Sequence, residues 1–116
     1  MYYGDIRLGD TIYIYFTTVS TTGLPTTVAG GLAVAAYPDS SATEITAGIT
    51  ETPDFDTRTG FHQLTVAATG ANGFATSTNY TLVVTTGTVG GTSIVGYVVG
   101  AFSIENRSPL MSTTAA

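Results

Sequence analysis

The stretch Thr92-Ser-Ile-Val-Gly-Tyr-Val-Val-Gly-Ala-Phe-Ser-Ile104 is rich in β-branched and aromatic residues, the composition of a strand. Read as one extended segment, it is apolar on both faces. Even positions give Ile94, Val98, Phe102 and Ile104; odd positions give Val95, Tyr97, Val99 and Ala101. A strand with one wet face alternates apolar and polar residues, and this one does not. Its second face needs cover. In a chain of 116 residues that cover is expected from another copy or a partner protein, with Val95, Tyr97 and Val99 as the subunit face.

Working back from this segment, Val89-Gly90-Gly91-Thr92 reads as a tight hairpin, because two glycines supply the positive φ angles a two-residue turn needs. Asn79 to Thr86 alternates, with Tyr80, Leu82 and Val84 facing one way. Phe61 to Ala68 does the same with Leu64, Val66 and Ala68. The loop Gly70–Gly73 separates these two, and Arg58-Thr59-Gly60 is a tight turn before Phe61. Glu44 to Thr50 is a weaker strand expected at an edge, with Pro53 limiting what pairs there. Leu32 to Tyr37 is a clear strand ended by Pro38-Asp39-Ser40-Ser41. A short piece, Thr26 to Ala29, precedes it. Thr11 to Val19 opens the series, with Ile12, Ile14 and Phe16 on one face and Tyr13 and Tyr15 on the other, before the Ser20–Pro25 turn.

No window sustains a helical apolar period. About seven short strands at regular spacing predict an all-β fold: an antiparallel, immunoglobulin-like β-sandwich, with a small β-barrel as the alternative. Residues 1–106 are expected to form a single domain, large enough to bury roughly 65 % of its unfolded surface. The patternless segment 107–116 is expected to be a C-terminal docking arm that lies on a neighbouring subunit through Pro109, Leu110 and Met111, or that folds back on its own domain.

Composition narrows the function. The chain has no Lys, three Arg and eight acids, for a net charge of −5. No basic footprint for phosphates can be assembled, so nucleic acid is not an expected partner. Without Cys there is neither a disulfide nor a thiolate metal site. Charged residues make up 9 % of the chain, against about 25 % in an average domain. Thr and Ser fill the polar positions. Such a surface lacks repulsive charge and favours association. The N-terminus lacks a basic segment followed by an apolar run, and no stretch reaches the ~20 apolar residues of a membrane helix. Synthesis in a cytoplasm and no membrane partner are expected.

Little chemistry is on offer. His62 is the single histidine, and no Ser or Thr sits in a nucleophile elbow, so His62 reads as a structural strand-end residue. Asp54 and Asp56, with Glu51 nearby, could supply oxygen ligands for Ca²⁺. Arg58 and Thr59 occupy the slots where a calcium loop has a ligand and a glycine, so turn chemistry is the favoured reading. On that reading Asp56 caps the turn, Gly60 takes positive φ, and Arg58 pairs with Asp54 or Asp56. Tyr13 and Tyr15 form a two-aromatic contact patch, suited to protein or to sugar. The glycine-rich Gly87–Gly91 has no Lys and no following helix, so it is not a phosphate loop. No catalytic residue, cofactor site or metal site is assigned.

Taken together, Gly9–Thr18, Thr46–Thr50, Asp54–His62, Val84–Val89 and Val95–Ile104 resemble a family of small proteins from tailed bacteriophages, labelled virion structural, tail, fibre or head-associated proteins. The resemblance runs from about Tyr3 to Arg107. It implies a virion component with an immunoglobulin-like sandwich. Between Thr17 and Val28 this chain carries a Ser/Thr-rich loop where that family carries more charge. The expected function is that of a non-enzymatic virion structural subunit, a head decoration or cement protein or a head-associated fibre or neck component. Its expected partners are capsid, portal, neck or tail proteins and further copies of itself. A tail-associated or host-glycan-binding module is the alternative.

Overall fold

The computed structural model describes residues 1–106. Eight strands build two sheets: β1 Tyr2–Ile6, β2 Thr11–Thr17, β3 Ala29–Pro38, β4 Ile49–Thr52, β5 Phe61–Ala67, β6 Thr78–Val89, β7 Thr92–Ser93 and β8 Val98–Ile104. The larger sheet has the order β1-β8-β6-β3, with β7 also paired to β6. The smaller has the order β2-β5-β4. The fold is an all-β sandwich rather than a closed barrel. Along the free edge of β3, Ala36 exchanges both backbone hydrogen bonds, at 2.8 Å, with Ile45 of the segment that leads into β4.

The alternating segments form the strands they predict. Leu64 and Val66 of β5, with Ile14 of β2, face Val34, Leu82, Val84, Phe102 and Ile104 of the larger sheet, all nearly or fully buried. Each such side chain contributes about 1.5–3 kcal/mol relative to exposure. Phe74, from the loop after β5, packs edge-on against Tyr80 at 5.0 Å. The Tyr80 hydroxyl accepts from the Ala75 N–H at 2.8 Å, so this buried phenol is satisfied. The Gly90–Gly91 hairpin forms as read, with φ +56° and +83° and Val89 opposite Thr92.

Three features depart from the sequence reading. First, residues 92–104 are not one strand. After β7 the chain turns through Ile94–Tyr97, with Gly96 at φ +100°, and β8 begins at Val98. Within β8 the register slips: Leu82 pairs Gly100 but Val83 pairs Val98. Val99 is the extra residue of a β-bulge, and a bulge breaks the two-residue period. Val98 is therefore 59 % exposed while Val99 is 8 % exposed and belongs to the core. Val99 is not part of an outer face with Val95 and Tyr97.

Second, Tyr2–Ile6 is a strand, paired parallel to β8, where the expected sandwich was antiparallel throughout. It supplies part of the cover that β8 was expected to take from a partner. The Tyr2 hydroxyl shares a 2.7 Å hydrogen bond with Ser103 Oγ, and Ser103 in turn donates to Asp5 Oδ1 at 2.6 Å. Ser103 is consequently buried.

Third, the weak edge strand lies at Ile49–Thr52 rather than Glu44–Thr50, leaving Ile45 to the isolated bridge. Glu51 on this strand accepts from the Val34 N–H at 2.9 Å, closing a backbone donor on the edge strand β3.

Candidate functional site

One end of the sandwich is built by the loops 18–28, 53–60 and 90–97. A buried polar network fixes it. His62 on β5 is 0 % exposed, beside the Phe16 ring at 5.1 Å. Its Nδ1 accepts from the Asp54 N–H at 3.1 Å, and its Nε2 lies 2.7 Å from Thr18 Oγ1. The Thr18 hydroxyl donates to the Thr26 carbonyl at 2.5 Å. His62 Nε2 must therefore carry the proton and donate to Thr18, which makes the ring neutral with both nitrogens engaged. Burial holds the His62 pKa below its ordinary value, against a smaller opposing pull from the Asp54 carboxylate.

Asp54 is the second anchor. It sits in the left-handed region at φ 50°. Oδ1 accepts from the Gly60 N–H at 2.8 Å and Oδ2 from Thr27 Oγ1 at 2.7 Å. These two hydrogen bonds, the Gly60 one foremost, hold its carboxyl below the usual range. The turn acceptor is thus Asp54, not Asp56 as expected. Asp56 instead makes an exposed 3.6 Å ion pair with Arg58, of the kind worth about 0–1 kcal/mol. Gly60 does take positive φ, +80°. A Cβ there would lie 2.6 Å from the Thr26 nitrogen, so glycine allows loop 18–28 to lie directly on the turn. Glu51 is committed to the Val34 N–H, Asp54 to Gly60 and Thr27, and Asp56 to Arg58, so the three acids serve separate tasks, and no cluster of metal-ligating side chains occurs among the described residues.

The network holds an apolar surface. Val19 and Leu24, on the small hairpin closed by the Val19–Pro25 bridge, are half to two-thirds exposed, as are Val95 and Tyr97 in the turn beside it. A cleft of about 170 Å³ opens between the two segments, walled by Val19, Val89, Ile94 and Tyr97. The turn 94–97 is tied to β6 at three points: Gly96 N–H to the Val84 carbonyl at 2.9 Å, Val84 N–H to the Tyr97 carbonyl at 2.9 Å, and Ile94 N–H to the Gly87 carbonyl at 3.1 Å. Its apolar side chains are therefore presented from a fixed backbone.

Of the interface residues read from the sequence, Val95 and Tyr97 lie here and are exposed. Val99 is in the core. Tyr13 and Tyr15 are exposed on the outer face of β2. Tyr15 stacks on Phe61 at 5.5 Å and meets Phe55 edge-on at 5.7 Å, so its aromatic partners come from the Asp54–Phe61 turn. Pro109, Leu110 and Met111 lie outside the described residues. Sequence reading missed Val19, Leu24 and Val98. Nothing local distinguishes Val19 from the alternating strand before it. Its exposure follows from Thr18 turning inward to meet His62, 44 positions along the chain.

Among the described residues, no helix is long and apolar enough to cross a membrane. Compared with protein-family models, with curated proteins and with solved structures, the chain finds no match.

Proposed function

We propose that this chain is a non-enzymatic bacteriophage virion structural protein, a head decoration or cement subunit or a head-associated fibre or neck subunit, that works through protein–protein contacts. The observation that carries this reading is the end surface formed by Val19, Leu24, Val95 and Tyr97. Four large apolar side chains are exposed at this end, Val19 and Leu24 on a hairpin that follows the buried His62–Thr18 contact, and Val95 and Tyr97 on a turn hydrogen-bonded to β6. Apolar surface held rigid and exposed marks a contact site. Low charge supports the same reading, since 9 % charged residues give little repulsion between copies. The assignment to a phage particle rests on the resemblance of the segments quoted above. A stable contact buries about 1,600 Å² in total, so the end surface would act together with adjoining faces such as Val98 and Tyr13–Tyr15.

The test is whether the chain is in the particle. Immunogold labelling and mass spectrometry of purified phage, released from the host that carries this gene, should find it at a fixed copy number. Recovery only in the soluble fraction of the lysate would overturn the proposal. Outward-facing Tyr13 and Tyr15 favour a second reading, a tail-associated or glycan-binding module. Hits on a glycan array that disappear in Tyr13→Ala/Tyr15→Ala would select it.

A further inference from the structure

The turn between β4 and β5 is strained. Asp54, Asp56 and Thr57 stand at φ +50°, +59° and +58°, a left-handed region uncommon for residues with a side chain and least suited to the β-branched Thr57. Such a shape persists only where its surroundings hold it. Three hydrogen bonds do so here: the Asp54 N–H to His62 Nδ1 at 3.1 Å, the Gly60 N–H to Asp54 Oδ1 at 2.8 Å, and the Thr27 hydroxyl to Asp54 Oδ2 at 2.7 Å. All three pass through Asp54, and the first ends on an imidazole.

Loop 18–28 rests on this turn. The Thr18 N–H donates to the Gly60 carbonyl at 3.0 Å and the Thr26 N–H to the Thr18 carbonyl at 2.8 Å. Thr27 reaches Asp54, and the Thr18 hydroxyl meets His62. Apart from these ties the two segments have little hold on the sandwich: no residue from Val19 to Thr27, or from Pro53 to Thr59, is buried. Segments with so few buried contacts open at lower cost than the sheets they adjoin.

His62 has no place for a second proton. Nε2 already carries one, because the Thr18 hydroxyl gives its own to the Thr26 carbonyl. A proton on Nδ1 would set an N–H against the Asp54 N–H, a donor facing a donor. The ring packs on Phe16 of β2, which is uncharged. Glu51 on β4 is bonded to the Val34 N–H, and Asp56 and Arg58 pair with each other at the surface. Among the described residues, the one polar side chain that the larger sheet buries is Ser103. The Asp54 carboxylate is the charge that acts on the ring; it favours the imidazolium, and burial outweighs it.

We propose that His62 is an acid-released latch for the end loops: proton uptake at Nδ1 expels the Asp54 N–H, the turn 53–60 relaxes, and loop 18–28 lifts from it while both sheets stay paired. Histidine is suited to this role because its charge changes near physiological pH. The turn 94–97 is tied to β6 and not to the latch, so it keeps its place. Acid therefore parts Val19 and Leu24 from Val95 and Tyr97, and the end surface keeps its closed form only while His62 is neutral. The latch regulates the surface on which the reading of the chain as a contact subunit rests, but it does not depend on that reading.

The experiment is an NMR titration of the full-length chain from about pH 7.5 to about pH 4.5, with amide exchange protection measured at each step. The His62 ring signals report the proton. The Thr18, Thr26 and Gly60 amides report the loops, and the Leu64, Leu82 and Phe102 amides report the sheets. The loop amides should lose protection about tenfold or more at the midpoint of the ring titration, while the sheet amides and Gly96 keep theirs. His62→Gln cannot titrate and should show one loop state throughout. Should it fail to fold, Thr57→Gly takes its place: it lies outside the network, removes strain that favours opening, and should move the midpoint to lower pH. A ring still neutral at the lowest pH, a ring that titrates with the loops still protected, or loops that open only together with the sheets would each overturn the inference. So would a loop transition that persists in His62→Gln or stays unmoved in Thr57→Gly. None of these bears on whether the chain is in the particle, which the labelling experiment decides separately.

Discussion

The phenol of Tyr3 closes both backbone groups of Tyr15: its oxygen accepts from the Tyr15 N–H at 3.3 Å and its proton goes to the Tyr15 carbonyl at 3.2 Å. Tyr3 stands on the edge of the larger sheet and Tyr15 on the outer edge of the smaller one. One side chain thus joins the sheets and occupies the hydrogen-bonding positions that a foreign strand would need. Unpaired edges are templates for aggregation. Tyr3→Phe keeps the ring and removes both bonds. It should lower stability by about 0.5–1 kcal/mol, since the bonds are partly hydrated. The more telling effect is aggregation, read by light scattering at a concentration where the unaltered protein stays clear.

His62 makes the fold acid-sensitive. Its folded-state pKa is depressed, so in the range below its ordinary value the unfolded chain binds the extra proton and the folded one resists it. The contribution is complete above about pH 6.5 and is lost as pH falls from there through the depressed folded value, with a slope of at most about 1.4 kcal/mol per pH unit. Asp54 acts in the same direction at lower pH, because its carboxylate form is the one Gly60 and Thr27 bind. Urea denaturation between pH 7.5 and 5 should show stability falling. His62→Gln should be less stable at pH 7.5 and nearly flat over the same range. A slope that persists in His62→Gln would place the titration elsewhere.

Gly60 and Gly90 both have positive φ, yet only Gly60 is crowded. A Cβ at Gly60 meets the Thr26 nitrogen at 2.6 Å and the Pro25 carbonyl carbon at 2.9 Å, whereas one at Gly90 meets nothing within 4 Å. Gly60→Ala should therefore cost about 2–4 kcal/mol, because backbone has to move as well as φ. Gly90→Asn should cost under about 0.5 kcal/mol, since Asn-Gly suits the same turn. Thermal unfolding of the two variants checks the contrast.

Val98 and Val99 test the bulge. Val98→Thr, on an exposed side chain, should change stability by less than about 0.5 kcal/mol. Val99→Thr buries a hydroxyl in the core and should cost about 1–3 kcal/mol. Equal effects, or the reverse order, would contradict the register of β8 against β6.

Local features were legible because their causes are local. The Gly90–Gly91 turn needs only two residues that accept positive φ. The buried rows of β5 and β6 need only period-two alternation, and Leu64, Val66, Leu82 and Val84 announce it. The exposure of Val95 and Tyr97 was legible as well, from excess apolar character, although the reason given was incomplete. These residues are exposed in a turn, not on the second face of a strand.

By itself the sequence determined that the fold is all-β, where most strands lie, and that few charged side chains are at hand, because propensity, alternation and composition are properties of neighbours along the chain. Only the tertiary structure decided that Val99 is core and Val98 surface, since a bulge exists only against the partner strand that defines the register. It alone paired β1 with β8, joining Tyr2 to Ser103 across 101 positions. It also brought His62 to Thr18 and Asp54, turning a lone histidine into the brace beneath an apolar end surface. No window of sequence holds those contacts, because each is stabilised by burial that the whole sandwich has to provide.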